Sequence, residues 1–252
     1  MDKEEALVKT FIRQKLKMLA FLGLLAASIA ACSATHTFII ENRCSYNVWA
    51  AVFGNNGQTP LGGGWKMYPG ARKEFTVPDH WNGRIWGRTH CTESGQCQTG
   101  DCGGLQCNGR TGRPPATLAE FTLDGWGNQD YYDLSLVDGF NLPMAIIPHG
   151  GHKRATYHCT QATCYADLNP GCPYEQQQRY GGQVIACKSA CEATHRDDYC
   201  CAGAHNTPQT CPSFPGATYF KSRCPDAYSY AYDDHKSTFT CGGKPSYTVR
   251  YC

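Results

Sequence analysis

The sequence predicts a mainly β fold: a sandwich or barrel core with two disulfide-rich insertions, one of which carries a short helix. Two observations predict it. Segments rich in β-branched and aromatic residues are short and separated by Gly, Pro, Asn or Asp, while helical periodicity is scarce. Cysteine is also dense, with 17 in 252 residues. The predicted strands are 37–41, 46–53, 73–77, 84–89, 118–123, 131–137 and 247–251.

The N-terminal region has the pattern of a secretory signal peptide. Basic residues precede an apolar run at 18–31, which is about 14 residues long and too short for a stable membrane span. Small residues after this run fit a cleavage site. We therefore expect residues 1–34 to be removed and the mature chain to start near Thr35, with Ala31 as a second option.

The cysteines indicate a disulfide framework rather than a metal module. One of them, Cys32, lies in the leader, and the other 16 run from Cys44 to the C-terminal Cys252. An even set at this density is typical of an oxidising compartment and would form eight disulfides with no thiol left over. A structural zinc site needs four ligands in tight spacing, whereas these cysteines spread across the whole mature chain. The residues alone leave the pairing open.

The charge balance excludes a function driven by bulk electrostatics. The chain carries 23 Lys and Arg and 21 Asp and Glu, and the leader accounts for five of the former and three of the latter. The mature chain therefore has 18 of each and a net charge near zero with His neutral. Because a nucleic-acid or anionic-membrane partner would require a basic surface, any charge-driven function must come from a local cluster.

Two segments interrupt the strand pattern. Residues 89–117 hold four cysteines and six glycines with almost no aliphatic residue, and we expect a small disulfide-stapled domain there. Residues 166–224 hold seven cysteines and one predicted helix at 184–194, whose apolar and Cys positions would face inward. The segments assigned to the core domain are 35–88, 118–165 and 225–252.

The order of several sequence blocks resembles a known family. The run CQTGDCGGLQC at 97–107 is similar to the signature of the thaumatin-like proteins of plant defence. Similar blocks follow the family order along the whole mature chain. The resemblance implies a thaumatin-like β-sandwich core and secretion to the extracellular space, the apoplast. The further blocks are 42–51, 109–121, 137–144, 186–191, 199–201 and 224–230.

The resemblance also implies a disulfide connectivity. The family pattern pairs the first cysteine of the mature chain with the last, and most of the others with partners in the insertions. The implied bridges are Cys44 with Cys252, Cys91 with Cys97, Cys102 with Cys107, Cys159 with Cys241, Cys164 with Cys224, Cys172 with Cys187, Cys191 with Cys200, and Cys201 with Cys211.

An acidic cleft is implied in the same way. Antifungal members of the family share a cleft lined by one Arg, one Glu and three Asp. Strand alternation places some of these side chains on a common face. Taken singly, each residue also has a structural interpretation, as a turn, a helix cap, a surface ion pair or a solvated strand face. The matching positions are Arg84, Glu120, Asp133, Asp138 and Asp226.

The function implied is that of a secreted antifungal defence protein. It would act as a monomer without a cofactor and bind fungal cell-wall β-1,3-glucan, or fungal membrane components, through the cleft. A weak endo-β-1,3-glucanase is the alternative, with Glu120 as the acid and Asp133 as its partner. A protease or α-amylase inhibitor is the second, supported by a stapled loop at 207–215. The aromatic residues considered for stacking on sugars are Trp81, Trp86, Tyr131, Tyr132 and Phe140.

A histidine cluster is the remaining candidate for chemistry. His149, His152 and His158 lie close together in a Gly-rich segment. No carboxylate or free Cys accompanies them in the sequence, so the pattern favours an exposed loop over a metal site. We therefore predict no metal.

Overall fold

The computed structural model describes residues 35–152, 158–234 and 236–252. The predicted signal peptide, 1–34, lies outside the described residues. Thr35–Cys252 forms one compact unit. The described part is mainly β, as predicted, and the division of the chain into a core and two insertions stays a prediction. Its strands are β1 Thr35–Asn42, β2 Val48–Gly54, β3 Gly64–Met67, β4 Arg72–Pro78, β5 Asn82–Cys91, β6 Cys97–Thr99, β7 Leu118–Thr122, β8 Gln129–Ser135, β9 Met144–His149, β10 Ala162–Cys164, β11 Gln177–Tyr180, β12 Gln183–Cys187, β13 Ala227–Tyr228, β14 Phe239–Gly242 and β15 Ser246–Tyr251.

Two large sheets pack face to face and enclose the core. One has five strands in the order β10-β9-β15-β1-β4, and the other follows the order β13-β8-β7-β5-β2-β3, with β14 also paired to β8 and β6 to β5. Aromatic rings join the sheets. Phe121 on β7 lies 4.8 Å from Phe38 on β1 and 5.2 Å from Tyr247 on β15, measured between ring centroids. The fold is therefore a sandwich, and the two inner faces form one hydrophobic core.

Apart from short 3-10 helices at 55–57, 60–63, 174–176 and 203–205, the helices of the described residues are short and lie in the 166–224 segment. They are α1 Ala190–Thr194, α2 Asp197–Cys200 and α3 Pro215–Arg223. No helix of the described ranges is long and apolar enough to cross a membrane.

The helix predicted at 184–194 is wrong in its first half. Residues 183–187 form β12, which pairs with β11, and the backbone of Cys187 exchanges two hydrogen bonds with Phe140. The helix begins only after Ser189, whose hydroxyl accepts a hydrogen bond of 3.1 Å from the Glu192 backbone N–H. A β-branched pair at 184–185 and a helix N-cap at Ser189 explain the change of structure.

A buried arginine attaches the 89–117 segment to the sheet. Arg88, in the second half of β5, is 0% exposed. Its guanidinium donates to the carbonyl oxygens of Gly104 and Leu105, at 2.6 and 2.8 Å, and to that of Ala50 on β2, at 3.2 Å. Burial lowers its pKa to about 10, so it stays charged at neutral pH. A buried charge needs these acceptors, so detaching the 89–117 segment from the sheet would leave the guanidinium without partners and would cost much free energy.

The eight disulfides confirm the connectivity that the resemblance implied. The first and last cysteines, Cys44 and Cys252, are joined across 208 residues, whereas Cys102 and Cys107 close a loop with a separation of five. The other bridges are Cys91–Cys97, Cys159–Cys241, Cys164–Cys224, Cys172–Cys187, Cys191–Cys200 and Cys201–Cys211.

Candidate functional site

Three of the predicted site residues form one row across the outer face of the larger sheet. Arg84 on β5 lies opposite Glu120 on β7, which in turn lies opposite Asp133 on β8. Residues that face each other across antiparallel strands point to the same side of the sheet. The adjacent positions Ile85 and Phe121 are buried in the core, so the charged row faces outward.

A fourth predicted residue, Asp138, reaches the row from the turn after β8. Its Oδ2 lies 3.9 Å from Arg84 Nη1, and Glu120 Oε1 lies 3.6 Å from Arg84 Nε. The three side chains are 34–36% exposed. Ion pairs at this exposure contribute little to stability. The main effect of Arg84 is electrostatic, because its positive charge acts on the carboxyl groups of Glu120, Asp133 and Asp138.

The carboxyl groups of the row are harder to ionise than usual. Burial, and then Asp138, raise the pKa of Glu120, while Arg84 acts in the opposite direction. Burial and the neighbouring Glu120 raise the pKa of Asp133 well above its ordinary value. Burial also raises the pKa of Asp138 against the effect of Arg84. The row therefore combines acidic groups that hold a proton more tightly with a fixed positive charge.

Two cavities lie on either side of the charged row, and both are lined by Arg84, Glu120 and Asp133. One has a volume of about 260 Å³ and the other of about 330 Å³. We call the two together the acidic groove. The first continues along the strands to neutral groups, and the second extends to the turn after β8. Their further lining residues include Asn55, Asn82, Thr122 and Tyr131 in the first, and Ser135, Asp138 and Tyr228 in the second.

The fifth predicted residue, Asp226, has different partners. Its Oδ2 accepts hydrogen bonds from the backbone N–H and the hydroxyl of Thr163, at 3.0 and 2.9 Å. Among the described residues no ion pair or hydrogen bond joins it to Arg84. The structure therefore brings four of the five residues together, and a role for Asp226 in binding stays a prediction.

Most of the aromatic residues considered for sugar stacking lie in the core. Trp81 and Trp86 are 0% exposed, and their indole N–H groups donate to backbone carbonyls. Tyr132 and Phe140 are buried as well. Their positions on the inner sheet face or beneath the 89–117 segment explain this. Only Tyr131 of the five lines the acidic groove.

The three histidines of the Gly-rich segment do not converge on one point. His149 Nε2 is engaged with Thr248 Oγ1 at 2.8 Å. His152 and His158 line a separate small cavity of about 140 Å³. The prediction that this segment holds no metal stays a prediction.

A buried cluster that the sequence did not reveal surrounds His36 at the start of β1. His36 Nε2 lies 2.9 Å from Asp124 Oδ2, and Nδ1 lies 3.6 Å from Asp130 Oδ2. Asp79 is also near and is paired with Lys244 at 2.5 Å. These residues are far apart along the chain, so no local pattern could show them. The cluster connects the first strand to the turn after β7, through Asp124, and to β8, through Asp130.

Known proteins resemble this chain over most of its length. The model of the Thaumatin family matches residues 42–252. Pathogenesis-related protein 5 from Arabidopsis thaliana is 46% identical over 236 residues, covering 92% of this chain and 95% of the relative. A glucan endo-1,3-beta-glucosidase from Prunus avium is 43% identical over 245 residues, covering 94% and 95%.

A solved structure shares the fold at much lower identity. The GH family 64 laminaripentaose-producing beta-1,3-glucanase from Paenibacillus barengoltzii superposes with a TM-score of 0.55 at 14% identity, covering 87% of this chain and 75% of that one. This likeness concerns the fold alone. The family match and the sequence relatives reach further, and they show that the chain belongs to the thaumatin family.

Proposed function

We propose that this protein is a secreted plant defence protein that binds β-1,3-glucan of fungal cell walls through the acidic groove. The observation that carries the proposal is the row of Arg84, Glu120 and Asp133, placed side by side by strand register and bordered by neutral polar groups. Relatives named as a pathogenesis-related protein and as a glucan endo-1,3-beta-glucosidase support it.

The chemistry of the groove suits a neutral polyhydroxylated ligand. A sugar hydroxyl both donates and accepts hydrogen bonds, and a carboxyl group with a raised pKa can also do both when it is protonated. Arg84 adds fixed donors. Since a glucan carries no charge, binding does not depend on the net charge of the protein. Secretion is supported by the eight disulfides, which need an oxidising compartment.

The test is retention on insoluble β-1,3-glucan, with cellulose as a matched β-1,4-linked control. We expect depletion of the folded protein from solution by the first polysaccharide and not by the second. Equal retention on both, or none on either, would refute the proposal. Binding to vesicles of fungal lipids without binding to glucan would favour the membrane alternative, and residual trypsin and α-amylase activity tests the inhibitor alternative.

A weak endo-β-1,3-glucanase is a second candidate, favoured by the pairing of Glu120 with Asp133. Directly opposed residues have Cβ atoms about 4.5–5.5 Å apart, which is compatible with two carboxyl groups acting on one glycosidic bond. Because the pKa of Asp133 is raised more strongly than that of Glu120, Asp133 is the better group to protonate the leaving oxygen, and Glu120 would act as nucleophile or base, the reverse of the roles expected from the sequence.

New reducing ends released from soluble β-1,3-glucan would show this activity. Glu120→Gln should abolish it while part of the binding persists, because an amide cannot act as nucleophile or base. Release of reducing ends at an unchanged rate by Glu120→Gln would exclude this mechanism.

A further inference from the structure

The hairpin between β7 and β8 presents an exposed tryptophan beside the acidic groove. Trp126 is 83% exposed. The chain has five tryptophans, and the other four are buried or partly buried. Trp49, Trp81 and Trp86 are at most 5% exposed, and Trp65 packs against the core. The exposed indole leaves its aromatic faces available to a ligand.

Tyr131 connects this tryptophan to the groove. Its hydroxyl donates to the Trp126 carbonyl oxygen at 3.2 Å, and its ring lies over Gly125, where an added Cβ would come within 3.1 Å of Cδ2. Tyr131 also lines the groove together with Glu120 and Asp133. The hairpin tip and the groove are therefore neighbours, and the close packing on Gly125 fixes the angle of the tyrosine ring.

A neutral polar row runs parallel to the charged one. Asn82, Thr122 and Tyr131 face each other across β5, β7 and β8, two residues along the strands from the charged row. Asn55 Nδ2 donates to Asn82 Oδ1 at 2.5 Å, and Asn82 Nδ2 donates to Thr122 Oγ1 at 2.8 Å. Two residues of an extended strand span about 7 Å. The two rows are thus separated by roughly the width of one sugar ring.

We propose that Trp126 and Tyr131, with the Asn82–Thr122 pair, form a neutral subsite that holds one pyranose unit of a glucan next to the charged row. The aromatic faces stack on the apolar C–H face of the sugar, and the amide and hydroxyl groups bind its hydroxyls. The charged row then contacts the adjoining unit. The inference rests on the proposed glucan binding, and it assigns the direction in which the glucan chain lies along the sheet.

Two variants and one spectroscopic signal test the subsite. Trp126→Ala should weaken the binding of a soluble β-1,3-gluco-oligosaccharide about tenfold in calorimetry, because it deletes a stacking surface. Tyr174→Ala is the matched control, since Tyr174 is also 83% exposed but lies in the 166–224 segment, and it should leave the affinity unchanged. Because Trp126 is the most exposed of the five tryptophans, acrylamide quenching of fluorescence in the wild type reports mainly on Trp126, and the oligosaccharide should reduce this quenching.

The possible outcomes distinguish failure of the subsite from failure of the proposed glucan binding. No binding of the oligosaccharide by the wild type would refute both. Binding by the wild type, with equal affinity in Trp126→Ala and unchanged acrylamide quenching, would overturn the subsite and leave glucan binding through the charged row in place.

Discussion

Removing the bridge between the chain ends should cost far more stability than removing a local one. Cys44–Cys252 has a sequence separation of 208 and Cys102–Cys107 a separation of five. In the unfolded chain, the bridges Cys159–Cys241, Cys91–Cys97 and Cys102–Cys107 shorten the loop that the terminal bridge closes. About 120 residues of effective loop length remain. Loop-closure entropy then favours the terminal bridge by about 3 kcal/mol. For a domain of this size, that difference corresponds to roughly 6–12 °C in melting temperature.

Side-chain packing acts against the predicted difference between the two variants, so the comparison is a stringent test of loop-closure entropy. Cys102 and Cys107 are 5% and 0% exposed, and Cys102 Sγ accepts a hydrogen bond from Arg88. Cys44 is equally buried, but Cys252 is only partly so. Loss of packing would therefore destabilise the Cys102→Ala, Cys107→Ala variant at least as much as the Cys44→Ala, Cys252→Ala variant. Calorimetric melting of the two double variants decides. Equal melting temperatures, or a lower one for the local pair, would contradict the claim that loop-closure entropy outweighs packing in this comparison.

Two further results are expected. Alkylation of the unreduced mature protein should add no mass, since all sixteen cysteines of the described chain are paired, and any adduct would contradict the framework. Asp133→Asn should melt a few degrees above the wild type at pH 7, with the difference shrinking towards pH 4. Because the pKa of Asp133 is raised in the fold, its stabilising contribution is complete below the unfolded value of about 3.9 and is lost as the pH rises through the folded one. A difference in melting temperature that does not change with pH would show that the pKa of Asp133 is not raised in the folded protein.

Strand alternation made part of the groove predictable from the sequence. It placed Glu120 and Asp133 on exposed strand faces, and the family resemblance supplied their proximity and the disulfide pairing. The register that sets them opposite each other depends on three strands and could not be read from any one of them. Alternation along β5 puts Arg88 on the same strand face as Arg84, yet only Arg84 lines the groove. Arg88 is buried because the 89–117 segment folds over that end of β5.

The remaining differences have similar causes. The periodicity at 184–194 suggested one helix, but pairing with β11 selects a strand for its first residues. The His36 cluster joins residues separated by up to 94 positions with Asp130 included, so only the tertiary fold reveals it. Trp126 was absent from the aromatic candidates because a single exposed ring in a turn leaves no periodic pattern.

The central claim is that the charged row binds glucan, and retention of Glu120→Gln on insoluble β-1,3-glucan tests it most directly. Asp198→Asn is the matched control, because Asp198 is 35% exposed and paired with Arg196 at 2.6 Å, much as Glu120 is 34% exposed and paired with Arg84. We expect the wild type and Asp198→Asn to be retained alike, and Glu120→Gln to be washed off the polysaccharide by a smaller volume of salt-free buffer. The melting temperatures of all three proteins should lie within a few degrees of one another. Equal retention of all three proteins would place the binding surface elsewhere on the molecule.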